Sequence, residues 1–421
     1  MRTYTMRLSR KSEFLLYYLY KKKLEPITGT KKTNKILKHI YSDLTDAQEY
    51  VDTVLENQNT FTISIQKIKT VAQIPRPEIF TSDAFPEQVR EYIDKVMTYS
   101  ITLTTSLFGR LIKFIFIVEE SNPELKLDFY KQCSRNMLIW MYILNEYSSK
   151  KCSKEITVFL YFTELLKELP KSNIDILDYN HVNTAFTSTC PKVSEIVVYR
   201  KEEWFKVFMH ETFHNFALDF SDMNNNECHN IIRELFPVNS QVNLFEAYTE
   251  CWAEIMNVCF YAFSTTESVN EYLEHCYIIL NIERKYGFLQ MVKALGFMGL
   301  EYGLIHSSIS KESQEIRETL YKENTNVLAY YVIKTILLNN FPGFLSWCDN
   351  HNTSLFQFKK TAQNQRDFCK FIVSNSESTS LFDGIDWAEK LLMKIKQAGK
   401  KNMTTENKFL LQNMRMTVIE Y

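Results

Sequence analysis

Glycine is scarce in this chain, with 9 residues in 421, against a usual share of roughly 7%. Neither GxGxxG nor GxxxxGK[ST] occurs, so dinucleotide and P-loop chemistry have no support. So little glycine suits helices better than a fold built on tight β-turns. Nine cysteines are present, an odd number, and none stands in a CxxC pair. No apolar run reaches the roughly 18 residues that a membrane helix needs. Near the start, Phe14 to Tyr20 is apolar but short, Lys21-Lys22-Lys23 follows, and no small-residue cleavage site appears. A formal net charge of −1 provides no global field to draw nucleic acid or an anionic membrane. Together these features predict a cytoplasmic chain without nucleic-acid or membrane partners. Its cysteines are expected to be reduced and buried as small hydrophobes. No feature specifies an oligomeric state.

What is present is an ordinary globular composition, 45% hydrophobic and 24% charged, over a length that allows two or three domains. Residues 11–23 and 46–57 read as short helices. Phe61–Gln66, Tyr99–Thr105, Leu111–Val118, Ile156–Tyr161 and Glu195–Tyr199 are β-rich runs, with a longer helix at 126–148. From Lys201 onward the pattern is helical: 202–219, 226–235, 243–263, 269–283, 288–306 and 325–339. Pro342-Gly343 then breaks it, and helices follow at 365–374 and 385–398. Strands in the first half and helices in the second predict an α+β fold rather than a doubly wound sheet. Three stretches follow: an accessory region over 1–98, a sheet-bearing lobe over 99–220, and a helical lobe over 221–421.

The stretch that carries chemistry is His210-Glu211-Thr212-Phe213-His214, an HExxH motif. On a helix, positions i and i+4 share one face, so two imidazoles can bind one Zn²⁺ at roughly 2.0–2.1 Å. Glu211 projects beside them, placed to take a proton from an activated water. With 8 histidines and 50 acidic residues, random placement yields about 0.02 such matches. At about 100° per residue, Phe205, Phe208, Met209, Phe213 and Phe216 fall on one broad arc. Val207, His210, Glu211, His214 and Leu218 fall on the other. A helix apolar nearly all round is a buried one, and buried histidines and carboxylates need partners.

The third ligand must come from elsewhere. Phe220 stands six residues after His214, and Ala217 occupies the place of a turn glycine, so HExxHxxGxxH is absent. In the segment 243–263, Asn243, Glu246, Glu250, Glu254 and Asn257 form one polar stripe on an otherwise apolar helix. Three carboxylates at i, i+4 and i+8 repel one another, and a facing cation would relieve that repulsion.

At these residues the chain resembles the gluzincins, zinc metallopeptidases in which a glutamate on a later helix completes the HExxH site. Glu250-Cys251-Trp252-Ala253-Glu254 has the ExxAE form of that helix. The resemblance covers roughly residues 181–260 and implies a zincin-like fold, one Zn²⁺ per chain and a peptide or protein substrate. It implies Glu250 as the third ligand and Glu254 as an outer support that orients a histidine, with Glu246 as the alternative ligand. Asn183-Thr184-Ala185-Phe186 is similar to the Asn-Ala-Phe stretch of the substrate-binding edge strand in thermolysin-like peptidases, interrupted here by Thr184. That likeness implies that Asn183, Ala185 and Phe186 bind substrate by strand addition. The run Glu195 to Trp204 also looks like predicted peptidases of large eukaryotic DNA viruses, which would make virion association a further expectation. Tyr248, His275 and His306 are the candidates for stabilising a transition state. His229, in the polar connector 221–230, and Lys394, Lys396, Lys400 and Lys401 read as solvated.

Overall fold

The computed structural model describes residues 6–56, 60–307 and 311–421. It is a mixed α+β protein: one six-stranded sheet joined to a large body of helices. The strands are β1 Thr62–Lys67, β2 Tyr99–Leu107, β3 Arg110–Val118, β4 Glu155–Tyr161, β5 Ala185–Thr187 and β6 Val193–Val198. Their order is β1-β2-β3-β4-β6-β5. β3, β4 and β6 are parallel, with Ile115 opposite Phe159 and Phe159 opposite Val197, and the outer pairs are antiparallel. The sheet expected in the lobe 99–220 therefore gains β1, close to the run read at Phe61–Gln66, from the N-terminal stretch.

Alternation along the strands explains the layers. Ile115, Ile117, Phe159, Tyr161 and Val197 face one way and pack under the segment carrying helix Glu87–Val96, through Val89, Ile93 and Met97. Ile112, Phe114, Phe116, Ile156, Val158, Leu160, Ile196 and Val198 face the other way, into the main core. That core also takes residues from helices Leu127–Tyr147, Trp204–Asn215 and Leu244–Thr265. It runs from Met6 to Ile419 and draws on all three stretches distinguished above.

Several elements differ from expectation, each for a physical reason. The helix expected at 46–57 begins earlier, as Lys31–Leu55, because Ile36, Leu37, Ile40 and Leu44 continue the buried stripe. The helices expected at 269–283 and 288–306 are largely one, Val269–Phe297. The polar residues between them are buried and satisfied: Arg284 donates to Asn339 Oδ1 at 2.8 Å and Lys285 to the Lys22 carbonyl at 2.7 Å. Pro342 does end the preceding helix, but it then starts another, Phe341–His351, where a proline without an N–H is tolerated in the first turn. Helices Glu87–Val96 and Lys311–Leu320 were not anticipated. The segment expected as a helix over 325–339 opens as a π-helical turn, Leu328–Ile333, before Lys334–Asn339.

The expectation of nine reduced thiols is corrected at one pair: Cys152 and Cys190 are disulfide-bonded across 38 residues. Parallel neighbours start at the same end, so the residues leading into β4 and β6 meet. Glu155 N donates to the Lys192 carbonyl at 3.2 Å there. The other seven cysteines are free and buried. Among the described residues no helix is long and apolar enough to cross a membrane. Lys394, Lys396, Lys400 and Lys401 lie on the exposed face of helix Thr379–Lys401, as expected.

Candidate metal centre

All twelve residues of helix Trp204–Asn215 are buried. Trp140 Nε1 donates to Thr212 Oγ1 at 2.7 Å, which fixes the helix's rotation against helix Leu127–Tyr147 and turns His210, Glu211 and His214 the other way. The helix ends in a left-handed residue, Ala217 (φ 56). Leu218 N bonds back to the Phe213 carbonyl and Ala217 N to that of His214, both at 2.9 Å, a closing turn that glycine usually occupies. This turn returns Asp219 to His214, and the Asp219 carboxylate contacts His214 Nδ1.

Helix Leu244–Thr265 packs against the HExxH helix and presents its glutamate stripe. Its rotation assigns the three carboxylates different partners. Glu246 Oε2 lies 3.1 Å from His210 Nε2 and 3.4 Å from His214 Nε2, and the two Nε2 atoms are 3.2 Å apart. Glu250, the ligand that the resemblance implied, is turned elsewhere: its Oε2 is 2.9 Å from His210 Nδ1, and its other oxygen pairs with Lys206. Glu254 lies further along, 2.8 Å from Lys334 Nζ, and touches neither histidine. So the residue expected to ligate stands behind His210, and the one expected to stand behind it is a further turn away. Among the described residues, His210, His214 and Glu246 form the one group of three side chains that could hold a metal ion.

The spacing can be tested against a metal. In a tetrahedral site with bonds of roughly 2.0–2.1 Å, two ligand atoms stand about 3.3–3.4 Å apart. The three observed separations, 3.1, 3.2 and 3.4 Å, match that edge without rearrangement. The set of two imidazoles and one carboxylate is one that zinc takes when a fourth position is left open.

The electrostatics follow from burial and charge. Burial opposes the charged form of Glu246, but the two histidines outweigh it and hold its carboxyl below the ordinary range. Burial likewise opposes the charge of Glu250, and Lys206 with His210 holds it well below that range. His214 is depressed by burial, yet Asp219 and Glu246 bring it well above its ordinary value. For Glu211, burial dominates and pushes the carboxyl up, only partly countered by the histidines. Its carboxylate has no hydrogen-bond partner among the described residues, and it borders a small cleft of about 30 Å³, room for about one water molecule.

That cleft is also lined by Asn183, Thr184, Ala185 and Tyr330. β5, which starts at Ala185, is an edge strand bonded to β6 on one side only. The structure thus brings Asn183 and Ala185 to the histidines. Phe186 points through the sheet instead, edge-on to Phe80 and Phe85. Three residues that the sequence did not single out stand close to the site. Asp219 and Lys206 hold its ligands and their partner. Tyr330, on the π-helical turn, donates to Glu246 Oε2 at 2.8 Å, with its ring 5.9 Å from that of His210. A lone lysine one turn before His210 on an apolar helix was a readable signal. Asp219 and Tyr330 had none, since a chain reversal and an 84-residue separation bring them in. The earlier candidates lie elsewhere: Tyr248 donates to the Phe356 carbonyl in the core at 2.8 Å. His275 sits 3.4 Å from Thr265 Oγ1 and His306 3.2 Å from Ser376 Oγ. His229, read as solvated, is partly buried and bonded to the Gln241 carbonyl. No family model, curated protein or solved structure matches this chain.

Proposed function

We propose that this protein is a zinc-dependent metallopeptidase of the gluzincin kind, with a zincin-like arrangement of edge strand, HExxH helix and glutamate helix. The observation that carries the reading is the near-tetrahedral spacing of His210 Nε2, His214 Nε2 and Glu246 Oε2, with Glu211 unpaired beside them. His210, His214 and Glu246 would hold the ion. When bound, zinc supplies a Lewis acid that acidifies water and polarises a carbonyl.

The chain's own groups do the rest. Glu250 and Asp219 lie against Nδ1 of His210 and His214; with Nδ1–H as the donor to each carboxylate, each Nε2 would present its lone pair to the ion. Glu211 takes the proton from the attacking water and passes it to the leaving amine as the C–N bond breaks. Burial raises its carboxyl, which suits a group that must both accept and return a proton. The Tyr330 hydroxyl, at the rim of the cleft, turns from Glu246 Oε2 to donate its one proton to the carbonyl oxygen as that oxygen gains charge. β5 offers an open edge along which an extended peptide can pair.

The test is digestion of an unfolded protein and a peptide library by the zinc-loaded chain, read by mass spectrometry. Glu211→Gln and Tyr330→Phe should both retain zinc. The first should lose at least about 100-fold in turnover and the second roughly 100-fold in kcat. Cleavage by Glu211→Gln at the wild-type rate would remove Glu211 from its role, and no cleavage by any zinc-loaded wild-type preparation would remove the peptidase reading.

A further inference from the structure

Beside the proposed metal centre lies a second, larger cavity of about 530 Å³. Its walls are unusual in composition. The carboxamides of Asn239, Gln241, Asn324 and Asn326 line it, together with Arg233 and His229. Three connections tie it to the centre. Asn243 borders the cavity at the head of the glutamate helix, one turn before Glu246. Asn326 borders it one turn before Tyr330, to whose N–H its carbonyl bonds at 2.9 Å. Thr325, also on the wall, donates to Asn183 Oδ1 at 2.6 Å, and Asn183 lines the cleft. Asn243 and Asn326 are themselves joined at 2.9 Å.

The charge balance of the cavity is one-sided. Arg233 is exposed and forms no ion pair among the described residues. Among the described residues Glu323 is the one carboxylate on the wall, and it is committed: its Oε2 accepts from Tyr321 Oη at 2.8 Å and Leu328 N at 2.9 Å. Burial also pushes the Glu323 carboxyl up, toward the neutral form. His229 Nδ1 is engaged by the Gln241 carbonyl at 2.8 Å, which leaves its Nε2 toward other partners. The wall segment carries backbone strain, with Val242 at φ 49, an unfavourable conformation for a β-branched residue. Strain of this kind persists where the surroundings hold a loop in place for use.

We propose that this cavity is a substrate pocket that takes an acidic side chain, with Arg233 as the residue that recognises its carboxylate and the carboxamides of Asn239, Gln241 and Asn324 completing its hydrogen bonds. The proposal rests on the peptidase reading and adds the substrate class to it. A helical turn rises about 5.4 Å and an extended peptide about 3.3 Å per residue. Because Asn243, on the cavity wall, stands one turn before Glu246, the Asp or Glu is placed within two residues of the scissile bond.

The experiment separates the pocket from the chemistry. The zinc-loaded Glu211→Gln protein is titrated with fluorescent peptides that carry Glu, Gln or Lys at each of the two positions on either side of a fixed bond, and binding is read by anisotropy. At one position Glu should bind roughly tenfold tighter than Gln, as expected for a charge-assisted hydrogen bond. That preference should shrink as salt rises, because Arg233 is exposed. Adding Arg233→Gln should abolish the preference, and Arg233→Glu should turn it toward Lys. Equal binding of Glu and Gln at every position would overturn the proposal. So would a preference for Gln, no peptide binding at all, or a Glu preference that survives Arg233→Gln. The same peptides are then offered to the zinc-loaded wild type. Cleavage without an acidic preference leaves the peptidase standing and removes the pocket. An Arg233-dependent preference in binding, with no cleavage of any peptide, leaves the pocket and removes the peptidase.

Discussion

Glu246 and Glu250 differ by one helical turn, and that turn separates contact with two imidazole Nε2 atoms from contact with one Nδ1. Glu246 reaches both rings at 3.1 and 3.4 Å. Glu250 shares its carboxylate between His210 Nδ1 and Lys206. Removing a charge that touches the ion should cost more than removing one that orients a ring, which typically costs roughly 10–100-fold in affinity. Glu246→Gln is therefore expected to weaken zinc binding more than Glu250→Gln, and Glu254→Gln, at a residue that pairs with Lys334 and touches neither histidine, should weaken it least. Competition with a chelator, run on the three variants side by side, measures this. Zinc retained by Glu246→Gln and lost by Glu250→Gln would return the ligand role to the residue that the ExxAE form implied. The sequence could not settle the choice, because residues four apart share a face and only tertiary packing fixes which of them meets a partner.

Among the elements, local pattern carried what it could. The strands β2, β3, β4 and β6 announce themselves as β-branched and aromatic runs, and the HExxH helix announces itself by spacing within five residues. Connections that cross the chain did not show. β1 joins the sheet from outside the expected stretch, and the reversal at Ala217 delivers Asp219. The π-helical turn that carries Tyr330 is bonded to a helix 84 residues earlier. Val269–Phe297 is one helix although Arg284, Lys285 and Gly287 interrupt its apolar pattern, because Arg284 and Lys285 have hydrogen-bond partners inside the fold and Gly287 packs close to Thr335. Its packing against helix Thr379–Lys401 can be tested at Gly384. A Cβ built there would overlap the ring of Phe288, which is wholly buried. Alanine gains about 1 kcal/mol of helix propensity over glycine, but overpacking a filled interface costs roughly 1–3 kcal/mol. Gly384→Ala is therefore expected to lower stability by about 1 kcal/mol, read as a shift in denaturant midpoint at unchanged slope. A stabilised variant would mean that this interface has room.

Across the whole molecule, buried charge binds distant segments to the site. Segment 413–421 is threaded through the core. Met416 N and Thr417 N donate to Glu203 Oε1 at 2.7 and 2.8 Å, and Val418 N donates to Glu283 Oε2 at 2.7 Å. Glu203 immediately precedes the HExxH helix and Met416 lines the cleft, so this segment and the centre share their supports. Lys293 holds the same segment by donating to the Asn413 carbonyl, and it also donates to the Leu410 carbonyl just before it at 3.0 Å. Burial pulls its ammonium down from 10.5 to about 7, with Glu202 offsetting part of the effect. Between pH 7 and 10.5 the unfolded chain binds the extra proton, so this group makes the fold more stable as pH rises. Below about pH 7 both states are protonated and the burial penalty is complete. The stability difference between wild type and Lys293→Met should therefore climb with pH from 7 to 9, approaching about 1.4 kcal/mol per pH unit at the upper end. A flat difference over that range would show that Lys293 is as readily charged in the fold as outside it.

The central claim is that His210, His214 and Glu246 form one zinc site, and metal content tests it most directly. Protein purified without chelators, or apo-protein titrated with zinc, should hold about one equivalent per chain, and His210→Ala should hold far less while remaining folded. Wild type that takes up no zinc, or His210→Ala that binds it as tightly as wild type, would contradict the account.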